Sequence, residues 1–168
     1  MIIRDAASAD AARLAEIYAY YVLNTAITFE VDAPDGEEFA RRIKKTEEKY
    51  PYIVCEENGK IIGYAYASPL KGRAAYYPSA ELSVYLDKDA RGKGIGKALY
   101  TELEKRLKKQ NITNLYACIT YTDSPDEFLT DASVKFHLRM GFKEVGKFHN
   151  CAEKFGNRYG VKWLEKFL

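Results

Sequence analysis

The sequence predicts an α/β fold in which helices flank a mixed central sheet. Three observations lead there. Two β-prone runs, Tyr52–Cys55 and Ile61–Tyr66, flank Asn58-Gly59, a pair that tolerates the positive φ angles of a tight turn, so they pair antiparallel. The run Glu81–Leu86 hands over, through a glycine-rich turn, to a helix with Ile95, Leu99, Leu103 and Leu107 on one face at intervals of four. Helical and strand-like segments then alternate to the end of the chain, with no repeat or linker to divide them. At 168 residues, 47% hydrophobic and 30% charged, the chain reads as one domain, residues 1–168, with enough apolar side chains for a core.

Ile2–Arg4 opens as a short strand. Ser8 is placed to cap a first helix whose apolar positions Leu14, Ile17, Tyr18 and Tyr21 keep helical spacing. Pro34-Asp35 starts a second helix. Asp35 with Glu38 three residues on has the form of a capping box, and Phe39 and Ile43 supply a narrow buried stripe. The hairpin follows, then a Gly-, Pro- and Tyr-rich loop from Pro69 to Pro78, then the strand from Glu81. The long helix ends in Lys105, Arg106, Lys108 and Lys109, which suit the negative end of its dipole. Leu115–Thr120 reads as a strand and Ala132–Met140 as a helix stopped by Gly141. Phe142–Phe148 and Tyr159–Trp163 alternate as two closing strands.

Composition removes several classes of function. Lys+Arg number 26 and Asp+Glu 24, so a net charge of +2 offers no basic footprint for nucleic acid or a membrane surface. No apolar run reaches the length of a membrane span, and the first ten residues lack the apolar stretch of a leader. Cys55, Cys118 and Cys151 are scattered and odd in number, which suits reduced thiols. With His137 and His149 they show no metal-ligand spacing. The expectation is a cytoplasmic domain without a metal. Fourteen tyrosines predict polar-tipped aromatic walls, though the count assigns them no place.

The segment Arg91-Gly92-Lys93-Gly94-Ile95-Gly96-Lys97 carries the clearest chemistry. Alternate glycines let the backbone approach a ligand, and a helix start presents unpaired N–H groups, so the pair suits a phosphate or pyrophosphate. A flexible turn with solvated cations would show the same residues. A nucleotide P-loop needs Gly where Arg91 stands and Ser or Thr where Ala98 stands, and a dinucleotide fingerprint needs Gly at Lys97. The spacing that fits is Arg-x-x-Gly-x-Gly, at Arg91, Gly94 and Gly96. This hexad resembles the acyl-CoA pyrophosphate loop of the GNAT N-acetyltransferase superfamily. Within it, "GYAYASPLKGRAAY", "ELSVYL", "RGKGIGKALY", "SVKFHLRMGF" and "EKFGNRYGVKW" are similar to the phosphinothricin acetyltransferases. The resemblance implies a mostly antiparallel GNAT-like sheet, acetyl-CoA as co-substrate, a small-molecule amine acceptor and a homodimer.

It also implies roles. Glu81 becomes the general base that takes a proton from the arriving ammonium, where residue type alone says only a strand-end carboxylate. Val84, Tyr85 and Leu86 offer backbone groups to the pantetheine arm, and one N–H polarises the thioester carbonyl. His137 stands where relatives place the donor to the leaving thiolate; otherwise it is a helix histidine satisfied by a carbonyl. Phe29, in "NTAITFE", together with Arg73 and Tyr76, faces the acceptor, with the guanidinium suited to an acidic group. Thr130 or Asp131 falls where the family has an Asn on the CoA arm. The loop Tyr121–Leu129 is longer and more acidic than the family's, and Ala152-Glu153 stands in place of Gly-Tyr. The expected function is direct acetyl transfer from acetyl-CoA to an amino-acid-like amine of the phosphinothricin or methionine sulfoximine type. A protein or peptide N-terminal acetyltransferase and a non-catalytic acyl-CoA-binding module are the alternatives.

Overall fold

Asn58 and Gly59 take φ angles of 51° and 76°, the left-handed pair that closes a two-residue hairpin. They join β2 (Tyr52–Glu57) to β3 (Lys60–Pro69). In the computed structural model, which describes residues 1–168, this hairpin sits inside one seven-stranded sheet. Its order is β1 (Ile2–Asp5), β2, β3, β4 (Ser79–Leu86), β5 (Asn114–Tyr121), β7 (Asn157–Phe167) and β6 (Lys143–Lys154). Every neighbouring pair is antiparallel except β4–β5. The expected mixed, mostly antiparallel sheet is what forms.

The two faces are filled differently. Helix α3 (Ile95–Lys109) lays Leu99, Leu103 and Leu107, all 0% exposed, on Ala65, Ala67, Ala80, Leu82, Leu115 and Ala117. Each such leucine contributes about 1.5–3 kcal/mol by leaving water. The opposite face takes α1 (Ala11–Asn24) and α2 (Gly36–Glu47), which pack Leu14, Tyr18, Tyr21, Phe39 and Ile43 on Tyr52, Val54 and Tyr64. Helix α4 (Ala132–Arg139) lies beside α3 and ends at Gly141, whose φ is 90°. No helix is long and apolar enough to cross a membrane.

Two local expectations change. Ser8 is not the cap of α1: Ser8–Asp10 form a short 3₁₀ turn, and the Asp10 carboxylate accepts from the Ala7 N–H at 2.8 Å. Arg4 grips that carboxylate at 2.7 and 3.0 Å and holds its pKa below the usual range. Asp35 does cap α2, accepting from the Glu38 N–H at 2.9 Å. Finally, β6 and β7 run longer than the alternation suggested. β6 is exposed along almost its whole length at the sheet edge, so no buried face imposed a pattern on its sequence.

Candidate active site

β4 and β5 share a ladder only from Ser79–Glu81 to Asn114–Tyr116. Beyond it, β5 stays paired with β7 and β4 with β3, so the two parallel strands part and open a cleft through the sheet. Its walls include Ser83, Val84, Cys118, Tyr100, Ser133 and His137. The alternation of β4 sends Ala80 and Leu82 into the α3 core, which turns Glu81, Ser83 and Tyr85 toward the α1–α2 face. The opening therefore joins two chambers.

On the α3 side, Gly94 is the N-cap of α3 with φ 78°, a conformation that leaves no side chain to cap the helix. Ala98 N–H makes the first helical bond, to Gly94 O at 3.0 Å, so the N–H groups of Ile95, Gly96 and Lys97 are open to an anion. Lys93 and Lys97 are exposed beside them. Gly96 has a different reason to be glycine: a Cβ there would meet the Phe136 ring of α4 at 3.3 Å. Arg91 stacks over Tyr20 and Tyr21, at 5.3 and 5.2 Å from the ring centres. Gly92 shares Gly94's positive φ, 78°, and completes the turn.

The three backbone positions of β4 are not equivalent. Asp87 N–H donates to Ile62 O at 2.9 Å, and antiparallel alternation then turns the N–H and C=O of Tyr85 toward β3. Val84 and Leu86 face the opening. Leu86 is already engaged: the Tyr21 hydroxyl donates to its C=O at 2.6 Å and accepts its N–H at 3.3 Å. Of the three expected donors, Val84 alone is turned to the cleft and left free of Tyr21.

On the other side, burial raises the pKa of Glu81, an effect that Lys71 partly offsets. Lys71 lies 5.7 Å over the ring of Trp163, which pairs in register with Cys118. Burial and the nearby Glu81 carboxylate push the Cys118 thiol up to about 12, so it stays protonated. Phe29 packs in a small cluster with Leu129 and Tyr159. Its loop is tied down by Lys154 Nζ donating to Thr28 O at 2.8 Å, and by Ala26 N–H donating to Phe128 O at 3.0 Å. Arg73 precedes and Tyr76 ends a 3₁₀ turn, Arg73 exposed and Tyr76 42% exposed, with the Tyr76 N–H bonded to Arg73 O.

His137 is 2% exposed, and both of its ring nitrogens are used. Nδ1 lies 2.8 Å from Ser133 O, an acceptor only, so Nδ1 carries the proton. Nε2 then accepts from the Tyr100 hydroxyl at 2.9 Å. Burial lowers the imidazole to about 4, which leaves it neutral near pH 7. Burial thus disfavours the imidazolium form that a role as proton donor to a thiolate would use. Thr130 lies at the cleft's outer margin. It is exposed and lines an adjoining groove with Asp131 and Lys135 that shares Thr120 with the cleft, while Leu129 and Ser133 flank the cleft itself. Tyr100, Ser133, Cys118, Lys71, Trp163 and Tyr21 were missed from sequence, since long-range pairing alone gathers them.

Residues 3–163 match the model of the acetyltransferase (GNAT) domain. A phosphinothricin N-acetyltransferase of Streptomyces coelicolor is 34% identical over 170 residues, covering 99% of this chain and 95% of that protein. The crystal structure of a GNAT superfamily phosphinothricin acetyltransferase from Sinorhizobium meliloti, in complex with acetyl-CoA, superposes with a TM-score of 0.90 at 36% identity, covering 99% of this chain and 88% of the other. A structure described as a ribosomal-protein-alanine N-acetyltransferase from Brucella melitensis superposes with a TM-score of 0.91 at 30% identity, covering 100% of both chains.

Proposed function

This chain belongs to the GNAT acetyltransferase family and is an N-acetyltransferase, and we propose that it acetylates the amine of a small amino-acid-like acceptor with Glu81 as general base. The observation that carries the reading is the parting of β4 from β5 between an uncapped helix start on one face and a carboxylate on the other. Acetyl-CoA supplies the acetyl group as an activated thioester. The N–H groups of Ile95, Gly96 and Lys97, after the Gly92 and Gly94 turn, suit its pyrophosphate, with Lys93, Lys97 and Arg91 as neighbouring cations. Val84 N–H is turned to the opening, where it can bond the arm or polarise the carbonyl. Ser133 takes the place expected of Thr130.

Glu81 accepts the ammonium proton, the amine nitrogen bonds to the acetyl carbon, and the carbon–sulfur bond breaks. Its raised pKa makes the carboxylate a stronger base than an exposed glutamate. Attack is direct, because the Cys118 thiol stays protonated and makes a poor nucleophile. The nitrogen sheds its second proton as the amide forms, so the thiolate takes up one proton, from the nitrogen or from protonated Glu81, and the other leaves to water. Arg73, Tyr76 and Lys71 hold the acceptor's acidic end, against Phe29. The same reading makes the enzyme a cytoplasmic homodimer. Its support is β6, a twelve-residue edge strand with Val145 and Phe148 51% and 60% exposed, the kind of edge that a partner covers.

Thiol release from acetyl-CoA, measured over phosphinothricin, methionine sulfoximine, polyamines and alanine-ended peptides, tests the acceptor. The Brucella neighbour's description favours the peptide as the second reading. Preference for the two amino-acid analogues, with KM raised about ten- to a hundred-fold in Arg73→Ala, supports the first. Polyamines or peptides outperforming every analogue would overturn it.

A further inference from the structure

Between α2 and the tyrosine-rich face of β2 and β3 lies a second cavity, of about 160 Å³, that shares no lining residue with the cleft. Tyr85, which lines the cleft, stands between them: its ring centre is 4.9 Å from that of Tyr18 and 5.5 Å from that of Tyr64, both on the cavity wall.

The wall is unusual in what it leaves undone. Tyr52, Tyr64 and Tyr66 stand side by side with interplanar angles of 12–17°. Tyr52 is 3% and Tyr64 1% exposed, yet neither hydroxyl has a hydrogen-bond partner in the protein. Neither is sealed away unpaired, so both tips open into the cavity they line. A layer built only for packing needs no hydroxyls here; these two tips are donors offered to whatever fills the cavity. Burial raises both phenols well above their usual range, so they remain O–H donors across the working pH range.

The rim decides the sign of the occupant. Arg42 and Lys45 line the cavity and no carboxylate does. Arg42 is largely satisfied, held by Glu30 at 2.8 and 3.1 Å and by Glu38 at 2.9 Å. Lys45 is exposed and makes no salt bridge, so it is the free cation. We propose that this cavity binds a small aromatic carboxylate, its ring against Phe39 and the tyrosine wall and its carboxylate between Lys45 and the phenol tips. The aromatic lining selects the ring, the donors select the anion, and the volume admits a single ring. The cavity shares no lining residue with the cleft, although Tyr66 on its wall reaches Ser83 on the cleft wall, and its occupant does not depend on which amine is acetylated.

Benzoate is the probe, titrated into the full chain by NMR, with benzylammonium and acetate as controls. The expected result is a saturable shift with benzoate, weaker or no binding by either control, and an unchanged benzoate affinity at saturating acetyl-CoA. Lys45→Ala, at an exposed position that leaves the fold intact, weakens benzoate by about tenfold or more, and Tyr52→Phe weakens it several-fold. No saturable shift, equal binding of benzylammonium, unchanged affinity in Lys45→Ala, or displacement by acetyl-CoA would each overturn the proposal. Thiol release by the same preparation keeps a failure here distinct from a failure of the acetyltransferase reading.

Discussion

The α3 face and the α1–α2 face of the sheet use burial for opposite ends. Under α3 the contacts are mostly Leu, Ile and Ala, with the buried Tyr100 hydroxyl satisfied by His137, and the leucines close completely: Leu99, Leu103, Leu107, Leu115 and Leu164 are all 0% exposed. Under α1 and α2 the sheet presents Tyr52, Tyr64, Tyr66 and Tyr85. Each tyrosine buries a ring but carries a hydroxyl that wants a partner, so such a layer leaves openings at its tips. Glu81 sits on that second face. The α3 layer is closed and meets ligand only at its N-terminal turn and the cleft edge, whereas the tyrosine layer leaves a cavity under α2.

The sharpest way to break this contrast is at Glu81. Glu81→Gln keeps the shape and removes the base, and turnover falls by about 10²–10⁴ with acetyl-CoA affinity little changed. Stability moves the other way. A carboxyl whose pKa is raised in the fold binds its proton at a pH where the unfolded chain has lost it. Stability therefore drops as pH rises through the window between the ordinary and the raised value. The Gln variant has a higher Tm than the parent at pH 7, and the gain disappears in acid, below the ordinary carboxylate pKa. A Gln variant with near-parental turnover removes Glu81 from the chemistry.

The converse variant belongs to the α3 face. Leu103→Ala empties a fully buried site and costs about 2–5 kcal/mol in denaturant unfolding, with turnover of the folded fraction nearly intact. If stability barely changed while turnover collapsed, the division of labour between faces would be wrong.

Sequence legibility follows the same line. The α3 leucines, the Asn58-Gly59 hairpin, the Asp35 cap and the glycine loop were readable because each depends on residues within one turn or one helix. The parting of β4 and β5 was not, because it follows from β7 inserting beside β5 from forty residues downstream in the order of the sheet. Hence Tyr100, Ser133 and Cys118 went unnoticed, although Glu81 and His137 did not. His137 shows the limit from the other side: its position was legible through resemblance, but its charge state depends on burial by α3, which no local pattern encodes. The tyrosines were countable and unplaceable for the same reason.

His137 also gives a pH test. Its pKa is about 4 in the fold, below its ordinary value of 6.5, so the unfolded chain takes up the proton first as pH falls. The unfolded state then binds more protons, and stability decreases from about pH 6.5 toward pH 4, by an amount on the order of 3 kcal/mol. His137→Gln can still accept from Tyr100 and flattens that part of the urea-stability profile. A parental profile that is flat over this range, with the variant identical to it, means the imidazole is not buried neutral.

The smallest effect separates two uses of the cleft edge. The Tyr21 hydroxyl bridges the N–H and C=O of Leu86, which otherwise face the opening. Tyr21→Phe keeps the ring under Arg91 and deletes only the bridge, leaving the Leu86 groups without that partner. The unliganded protein should lose about 1 kcal/mol. If the arm of acetyl-CoA pairs with Leu86, the parent must give up the tyrosine bond on binding and the variant has none to give up. Affinity by calorimetry then rises about fivefold, the equivalent of the bond no longer broken. If the arm pairs only with Val84, affinity is unchanged and Tyr21 is a fixed brace between α1 and β4. The direction of this one constant therefore decides whether the tyrosine face merely borders the cleft or competes with the ligand for its backbone.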